Sequence, residues 1–551
     1  MKIVDYENGH FIISFNNTSK EAFYETLAKV KTLTGRSYKD KLWKAPAIET
    51  NLDILVQEGF IFSVKAKEYI RNLYRSKPER ILPEVDKSQL KGLFPFQIEG
   101  VQFLSSRQGH GIISDQMGLG KTIQALGYLK LHPELRPALV ICPASLKLNW
   151  QREINKWLPE ESIQILSGRN PDHLMFGINI YIINYDILGI GEVIIKNGKK
   201  KTILKGGWFS RILNEENIKI IIADEIQYIS NHKAIRTIAF IETARKIKKV
   251  IGLSGTPIKN RPSEFFTILN LIEPKVFPNR WNYLQTFCNP KNNGFGWTFK
   301  GLTNGKELYR LIYPLMIRRE KKDVLKDLPD KIKTVIPLEV NQADFRKYEK
   351  MYEEVFNKIE NMKVIEKRGN YEKLKQMAYA CKRESVLNWI DDFISTGEKL
   401  VLFSYHRAVL DDIEEKFKNI SVRIDGSVNI KLRQERVDQF QLNENIKIFS
   451  GQIQAAGIGI NLTVASSVAF VEFGWNPADH EQAEDRCHRI GQSECVNAYY
   501  LVAVGTIENK IVELLIEKGK MLGQVLDGKE KDFFSEDILE VLMKGENNYD
   551  K

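Results

Sequence analysis

Two series of short β-branched runs, separated by helical stretches, constrain the fold of this chain more than any other feature. The first comprises residues 111–114, 138–142, 178–183, 218–223 and 250–254, and the second 399–404, 421–424, 446–450, 467–473 and 496–502. Runs so short and so evenly apolar suit the strands of a parallel sheet covered by helices on both faces. Two α/β lobes are implied. Between the series, residues 342–389 are charged and lack a strand-like run, which predicts long helices that join and decorate the lobes. Within the first lobe, Asn197-Gly198 lies between two apolar stretches and predicts a β-hairpin over 192–205. Its Lys196, Lys199, Lys200, Lys201 and Lys205 suit either phosphate contacts or a solvated edge that resists aggregation. Residues 1–85 lack the strand series and read as a separate small α/β unit, and the polar stretch after Lys544 reads as a frayed end.

At 551 residues the chain is long enough to bury several hydrophobic cores without disulfide or metal support. No apolar run reaches the roughly 18 residues of a membrane span. Asp5 and Glu7 stand where a secretory signal would carry its apolar segment. An intracellular setting without a membrane partner is therefore expected, cytoplasmic for a prokaryotic or viral source and nuclear for a eukaryotic one. Cys142, Cys288, Cys381, Cys487 and Cys495 are scattered and form no CxxC pair, which argues against a disulfide framework and a zinc ribbon. Cys487, His488 and Cys495 stand near Arg486 and Arg489, whose charge opposes a bound cation. A net charge of +11 favours a polyanionic partner, but many basic proteins bind no nucleic acid, so the decision falls to the motifs.

Gly118-Leu119-Gly120-Lys121-Thr122 follows an apolar run and precedes a helical stretch, the strand–loop–helix setting of a phosphate-binding loop. Glycines let backbone N–H groups wrap phosphates, and the helix N-terminus favours negative charge. Lys121 would reach the β- and γ-phosphates of ATP, and the Thr122 hydroxyl would ligate Mg²⁺. The strict pattern wants a glycine where Asp115 stands. Asp224-Glu225 closes an apolar strand, so both carboxylates leave the sheet at the edge where α/β folds bind ligands. Asp224 would hold Mg²⁺ through water, and Glu225 would orient and deprotonate the attacking water. An acidic pair in that place is also a common helix cap. Gln482, Arg486 and Arg489, spaced by four and three, are expected on one helix face, where the arginines would stabilise charge on the γ-phosphate oxygens. Taken alone, the two arginines would read as surface salt-bridge partners.

Together these residues resemble the Swi/Snf-type ATPases of helicase superfamily 2, over roughly residues 88–525. The family's phosphate loop reads D-x-M-G-L-G-K-T and is matched from Asp115 to Thr122, which accounts for Asp115. Leu93-Phe94-Pro95-Phe96-Gln97 matches the adenine-reading segment and implies that Gln97 binds adenine. Further matches follow in order: Cys142-Pro143-Ala144-Ser145-Leu146 with Asn149-Trp150, Asn184-Tyr185-Asp186, Leu253 through Asn260, and Ile317-Arg318-Arg319 at the lobe junction. In the second lobe Ile424-Asp425-Gly426 with Arg433, Ala455 through Thr463, Trp475-Asn476-Pro477 and Gln482 through Gln492 complete the set. One departure stands out: the family usually has D-E-A-H where this chain has Asp224-Glu225-Ile226-Gln227. Gln227 is expected to hydrogen bond toward Ser254 or Thr256, but it cannot carry a charge. Gly35-Arg36-Ser37-Tyr38 and Trp43-Lys44-Ala45-Pro46 resemble the HARP module of annealing helicases, although the bare residues also suit an unrelated small domain around a buried Trp43.

The resemblance implies two RecA-like lobes with parallel sheets, helical insertions and a small N-terminal α/β domain. The expected boundaries are a HARP-like substrate-recognition domain at 1–85, lobe one at 88–320, a helical linker at 321–382, lobe two at 383–525 and a tail at 526–551. It implies Mg²⁺-dependent ATP hydrolysis, with Gln97, Gly118, Gly120, Lys121, Thr122 and Asp224 as binding residues and Glu225, Arg486 and Arg489 as catalytic ones. The expected function is a monomeric motor on double-stranded or forked DNA that remodels it or anneals strands in DNA repair. A catalytically silent DNA-binding scaffold is the alternative of another class, and a motor that displaces proteins or acts on RNA is a third. The intact acidic pair, lysine and arginines speak against silence.

Overall fold

The computed structural model describes residues 2–16, 19–39, 42–73, 80–171, 174–196, 199–215, 217–292, 294, 296–358, 364–456 and 460–534. The chain divides into two compact units, the first made of 1–116, 120–320 and 521–530, the second of 117–119, 321–520 and 531–551.

The first unit is built on a seven-stranded sheet, with strands in the order Met316–Ile317, Gly111–Ile113, Val250–Leu253, Ile220–Asp224, Ala138–Cys142, Ile180–Asn184 and Ile163–Ile165. Every pairing is parallel. Ile220, Ile221, Ile222 and Ala223 are all fully buried although they point alternately to the two faces, as a sheet sandwiched between helices requires. Each such isoleucine contributes roughly 1.5–3 kcal/mol by leaving water. The two edge strands, Met316–Ile317 and Ile163–Ile165, escape a reading by apolar runs because they are only two and three residues long. Strands Ile190–Lys196 and Lys199–Gly206 pair antiparallel with Lys196 opposite Lys199, as the Asn197-Gly198 signal predicts. The turn itself and the side chains of Lys196, Lys199, Lys200 and Lys201 lie outside what the structure describes. Lys205 pairs with Glu192 at 2.7 Å on exposed surface.

At the start of the chain a five-stranded mixed sheet, in the order Ser37–Lys39, Leu42–Pro46, His10–Phe15, Lys2–Glu7 and Ile61–Phe62, closes over its own core of Val4, Phe11, Ile13, Leu52 and Leu55. It is not free of the lobe built on the seven-stranded sheet. Ile48 is buried in the lobe's main core, and the Arg80 guanidinium donates to the carbonyl oxygens of Tyr313 at 2.6 Å and Met316 at 2.8 Å.

In the second unit six parallel strands run in the order Lys331–Leu338, Val496–Ala503, Ser467–Phe470, Leu400–Ser404, Ile448–Gln452 and Ser421–Ile424. Residues 331–338 stand within the stretch read as a helical linker, yet they form an edge strand. Its sequence hides it: Lys331 and Lys333 alternate with apolar residues, and Pro337 is tolerated only where a strand has an unpaired side. The rest of that stretch forms the long helices Gln342–Lys358 and Val364–Ser395, as its composition predicts. Among the described residues no helix is long and apolar enough to cross a membrane. The five cysteines are all free thiols.

Candidate functional site

Strand register decides which residues meet at the first sheet's carboxyl edge. Ile113 pairs with Leu253, and Leu253 with Asp224, so strands Gly111–Ile113, Val250–Leu253 and Ile220–Asp224 end level with one another. The three strand ends therefore lie side by side, within about 10 Å at a strand spacing of roughly 4.8 Å, and the chain leaves them through Ser114, Ser254-Gly255-Thr256 and Glu225. This is the edge where open α/β sheets take ligands.

The glycine loop then opens the helix Lys121–Leu131. Gly120 sits in the left-handed region at φ 74°, and a Cβ there would lie 2.5 Å from Gln97 Nε2. The conformation calls for glycine, and a side chain there would also displace the Gln97 carboxamide. Gln97 is buried, and its side-chain carbonyl accepts from the Phe94 amide at 3.0 Å, which fixes it at the start of the helix Pro95–Ser106 and beside the loop. Lys121 Nζ donates to the Asp115 carbonyl at 2.9 Å, and Thr122 follows in the first helical turn. Asp115 holds the loop's entry rather than facing outward. Fully buried, it accepts from Arg319 at 3.0 and 2.6 Å and from Gln124 at 2.9 Å. Arg318 donates to the carbonyl oxygens of Ser114 and Gly255, both at 3.0 Å, tying two of the three edge segments together. The roles of Arg318 and Arg319 depend on contacts 63 to 204 residues away in sequence, which no local pattern reveals.

Glu225 adopts a left-handed conformation at φ 52°, turning the chain sharply out of the strand. Such strain in a non-glycine residue persists where the surroundings over-determine it, often at functional sites. The indole of Trp150 donates to Asp224 Oδ2 at 2.8 Å, the Glu225 amide to Asp224 Oδ1 at 3.0 Å, and the Tyr185 hydroxyl to the Asp224 carbonyl at 2.8 Å. Trp150 and Tyr185 thus aim Asp224. Gln227 does not turn toward Ser254 or Thr256. Its amide donates to Glu225 Oε2 at 2.5 Å, and the Ser254 hydroxyl accepts from the Thr256 amide instead. The tight turn at Glu225 brings residues two apart within reach, and a buried carboxylate is a stronger acceptor than a hydroxyl. Withdrawal from water and the neighbouring Glu225 charge push the Asp224 carboxyl well above its usual range, against the pull of Trp150 and Lys121. Two crowded carboxylates beside a lysine-bearing phosphate loop suit a divalent cation shared with a phosphate. Among the described residues no cluster of three or more His, Cys, Asp or Glu would cage a metal alone. Mg²⁺ is commonly bound by one or two carboxylates and hydroxyls, with water and substrate phosphates supplying the rest.

In the second unit Gln482 lies on the helix Pro477–Glu484, but the helix ends before the arginines. Arg486 and Cys487 are reached by tighter hydrogen bonds to Ala483 and Glu484. Three side chains on one regular helix face is therefore the wrong picture. The chain must bury Cys487 in the core while Glu484 and Asp485 hold ion pairs. Glu484 meets Lys331 at 2.7 Å and Lys333 at 3.2 Å, and Asp485 meets Lys321 at 2.9 Å. Burial alone would raise the Glu484 carboxyl, but Lys331 and Lys333 reverse this and bring it to about 2. Arg486 and Arg489 nevertheless converge, each donating to the Ile460 carbonyl, at 3.4 and 3.3 Å. Within the motif Ala455 through Thr463, residues 457–459 lie outside the described ones.

At the carboxyl edge of the second sheet, His406 Nδ1 lies 2.6 Å from Glu472 Oε1, and its Nε2 lies 3.3 Å from Glu372. The hydrogen bonds that its N–H groups donate to Glu372 and then Glu472 raise the imidazole to about 9, with burial and Lys375 opposing. Glu472 is pushed up by burial but pulled to about 2 by His406 and by amide and hydroxyl donors. The imidazolium therefore stabilises the unit fully below pH ~6.5, and this is lost as pH rises through about 9. Comparing chemical unfolding of the wild-type chain and His406→Asn should show a gap on the order of 2 kcal/mol at pH 6 that closes by pH ~10. An equal gap at both values would show that packing, not charge, is at work.

A sheet with a phosphate-loop motif and an acidic pair at one edge, joined to a second parallel sheet with an arginine motif, defines a P-loop protein with two RecA-like lobes. The model of the SNF2-related domain matches residues 96–388, and that of the helicase conserved C-terminal domain matches 382–491. The chain belongs to the SNF2-related family. It is 32% identical over 460 residues to the DNA annealing helicase and endonuclease ZRANB3 of Homo sapiens, covering 81% of this chain and 41% of that protein. It is 34% identical over 460 residues to the Caenorhabditis elegans homolog of SWI/SNF-related matrix-associated actin-dependent regulator of chromatin subfamily A-like protein 1, covering 82% of this chain and 64% of the relative. The chain thus spans between two fifths and two thirds of the length of these relatives. A solved Sulfolobus solfataricus SWI2/SNF2 ATPase core in complex with dsDNA aligns at 27% identity and a TM-score of 0.37, covering 76% of this chain and 90% of that one.

Proposed function

We propose that the chain is an ATP-dependent translocase on double-stranded DNA that remodels DNA or anneals strands at forks. The observation that carries this is the level ending of three adjacent strands, which gathers the glycine loop, the acidic pair and the Ser254-Gly255-Thr256 turn at one edge. In this reading Gln97 contacts adenine, Gly118 and Gly120 open the loop to phosphate, and Lys121 grips the β- and γ-phosphates. Mg²⁺, held by Thr122 and through water by Asp224, would neutralise phosphate charge. Glu225, steadied by Gln227, takes the proton of the attacking water, and Arg486 and Arg489 stabilise charge on the γ-phosphate oxygens. The relatives' names, one a DNA annealing helicase, support DNA as the track. The N-terminal sheet serves as the HARP-like module that chooses among DNA structures.

The test is phosphate release by the full chain with Mg²⁺, measured with and without blunt duplex DNA. Stimulation of tenfold or so is expected, since conformational closure gates hydrolysis in such motors. Indifference to duplex, single strands, forks and RNA alike would remove the motor reading.

A further inference from the structure

The N-terminal sheet and the first lobe enclose a cleft of about 790 Å³ that the ATP site does not use. Its size falls within the range of ligand-binding clefts. The walls carry aromatic faces from both sides. Tyr38 and Trp43 come from the N-terminal sheet, with ring centroids 5.0 Å apart, and Trp281 and Trp297 from the lobe, 6.1 Å apart. Trp43 is half-buried, packed against the N-terminal core on one side while its ring also lines the cleft. Tyr38 is 60% exposed, Trp281 49% and Trp297 47%. Large rings left this open next to one another are unusual on a monomer and mark a contact surface.

The cleft is held in place, since a Cβ on Gly35 would lie 2.5 Å from the Thr286 hydroxyl, so the two walls meet at its base. Trp297 stands on the short strand Trp297–Phe299, paired with Pro290–Asn292, and Trp281 on the helix Arg280–Phe287 packs edge-on against both Trp297 and Phe299. Charge selects the class of ligand. Among the described residues the lining contains Arg36 and no aspartate or glutamate, and Lys291 and Lys300 are exposed at the short strands. Amides and hydroxyls fill the remainder, and the carboxamide nitrogen of Gln285 is buried there without a hydrogen-bond partner among the described residues. An acceptor on a base edge would relieve that cost.

We infer that this aromatic cleft binds unpaired bases of single-stranded DNA, stacking them on Trp281, Trp297, Tyr38 and Trp43 while Arg36 and the flanking lysines meet the phosphates. Duplex DNA offers no free base faces, so stacking selects strands that have come apart, whatever their sequence. The inference deepens the translocase reading and rests on it for DNA as the ligand, because it supplies a contact that distinguishes a junction from plain duplex.

The experiment uses the full chain, a labelled twelve-nucleotide oligo(dT) and a blunt hairpin duplex, read by fluorescence anisotropy, with duplex-stimulated ATP hydrolysis measured in the same samples. Trp281→Ala and Trp297→Ala should each weaken oligo(dT) binding about tenfold or more. Trp297→Phe, which keeps an aromatic face, should recover most of it, and hairpin-stimulated hydrolysis should stay within about twofold of wild type. Unchanged oligo(dT) affinity in both alanine variants overturns the inference, as does an equal loss for the hairpin. Failure of the wild-type chain to bind oligo(dT) at all would also overturn it and leave the cleft as a peptide surface. If duplex fails to stimulate hydrolysis while the alanine variants still lose oligo(dT), the motor reading falls and the cleft stands.

Discussion

Glu225→Gln is expected to bind ATP as tightly as the wild-type chain and to lower its hydrolysis by a factor of about 10²–10⁴, the range general-base catalysis supplies. The substitution is nearly isosteric at a buried position, and its carbonyl oxygen can still accept from the Gln227 amide, so the strained turn at φ 52° should survive. What is lost is the ability to take a proton from water. Asp224, held by Trp150 and the Glu225 amide, should keep its place. Lys121→Ala is the contrast, expected to weaken binding and turnover together, since in the proposed site its ammonium would meet phosphate in both ground and transition state. Equilibrium binding of a fluorescent ATP analogue with single-turnover phosphate release separates the two. Normal turnover in Glu225→Gln would move the base elsewhere.

For the arginines, loss of Arg486 or Arg489 to alanine is expected to reduce turnover by about 10³ for at least one of them, roughly 4 kcal/mol of transition-state stabilisation. Guanidinium forks donate to several phosphate oxygens at once, and their contribution grows as charge spreads over the γ-phosphate. DNA affinity without nucleotide should barely change. Both arginines share the Ile460 carbonyl and flank the ion pairs of Glu484 and Asp485, so each variant's unfolding midpoint must be measured beside its turnover. Collapse of DNA binding with normal turnover at saturating DNA would instead make them phosphate-backbone contacts.

Much of this was legible in the residues. All the β-branched runs but 421–424, which lies at an edge, became inner strands of the two sheets, because a strand buried on two faces must be apolar throughout. The loop from Gly118 to Thr122 and the pair Asp224-Glu225 could be placed at strand ends because each follows a strand in a fixed order of residue types. Strand Lys331–Leu338 could not, since its lysines spend their charge on Glu484, far off in sequence. The same holds for Gln227, whose partner is chosen by a backbone turn, and for the end of the helix before Arg486.

The sequence by itself determined the fold class, the family and the order of the nucleotide-site motifs, because short-range patterns and glycine chemistry carry them. Only the tertiary structure decided that Asp115 is an internal anchor for Arg319, that Trp150 and Tyr185 aim Asp224, and that rings from residues 38 and 297 face one cleft. Those contacts join segments about forty to more than two hundred and fifty residues apart. Each residue is chemically ordinary where it stands in the chain, and its role appears only when packing brings its partner to it.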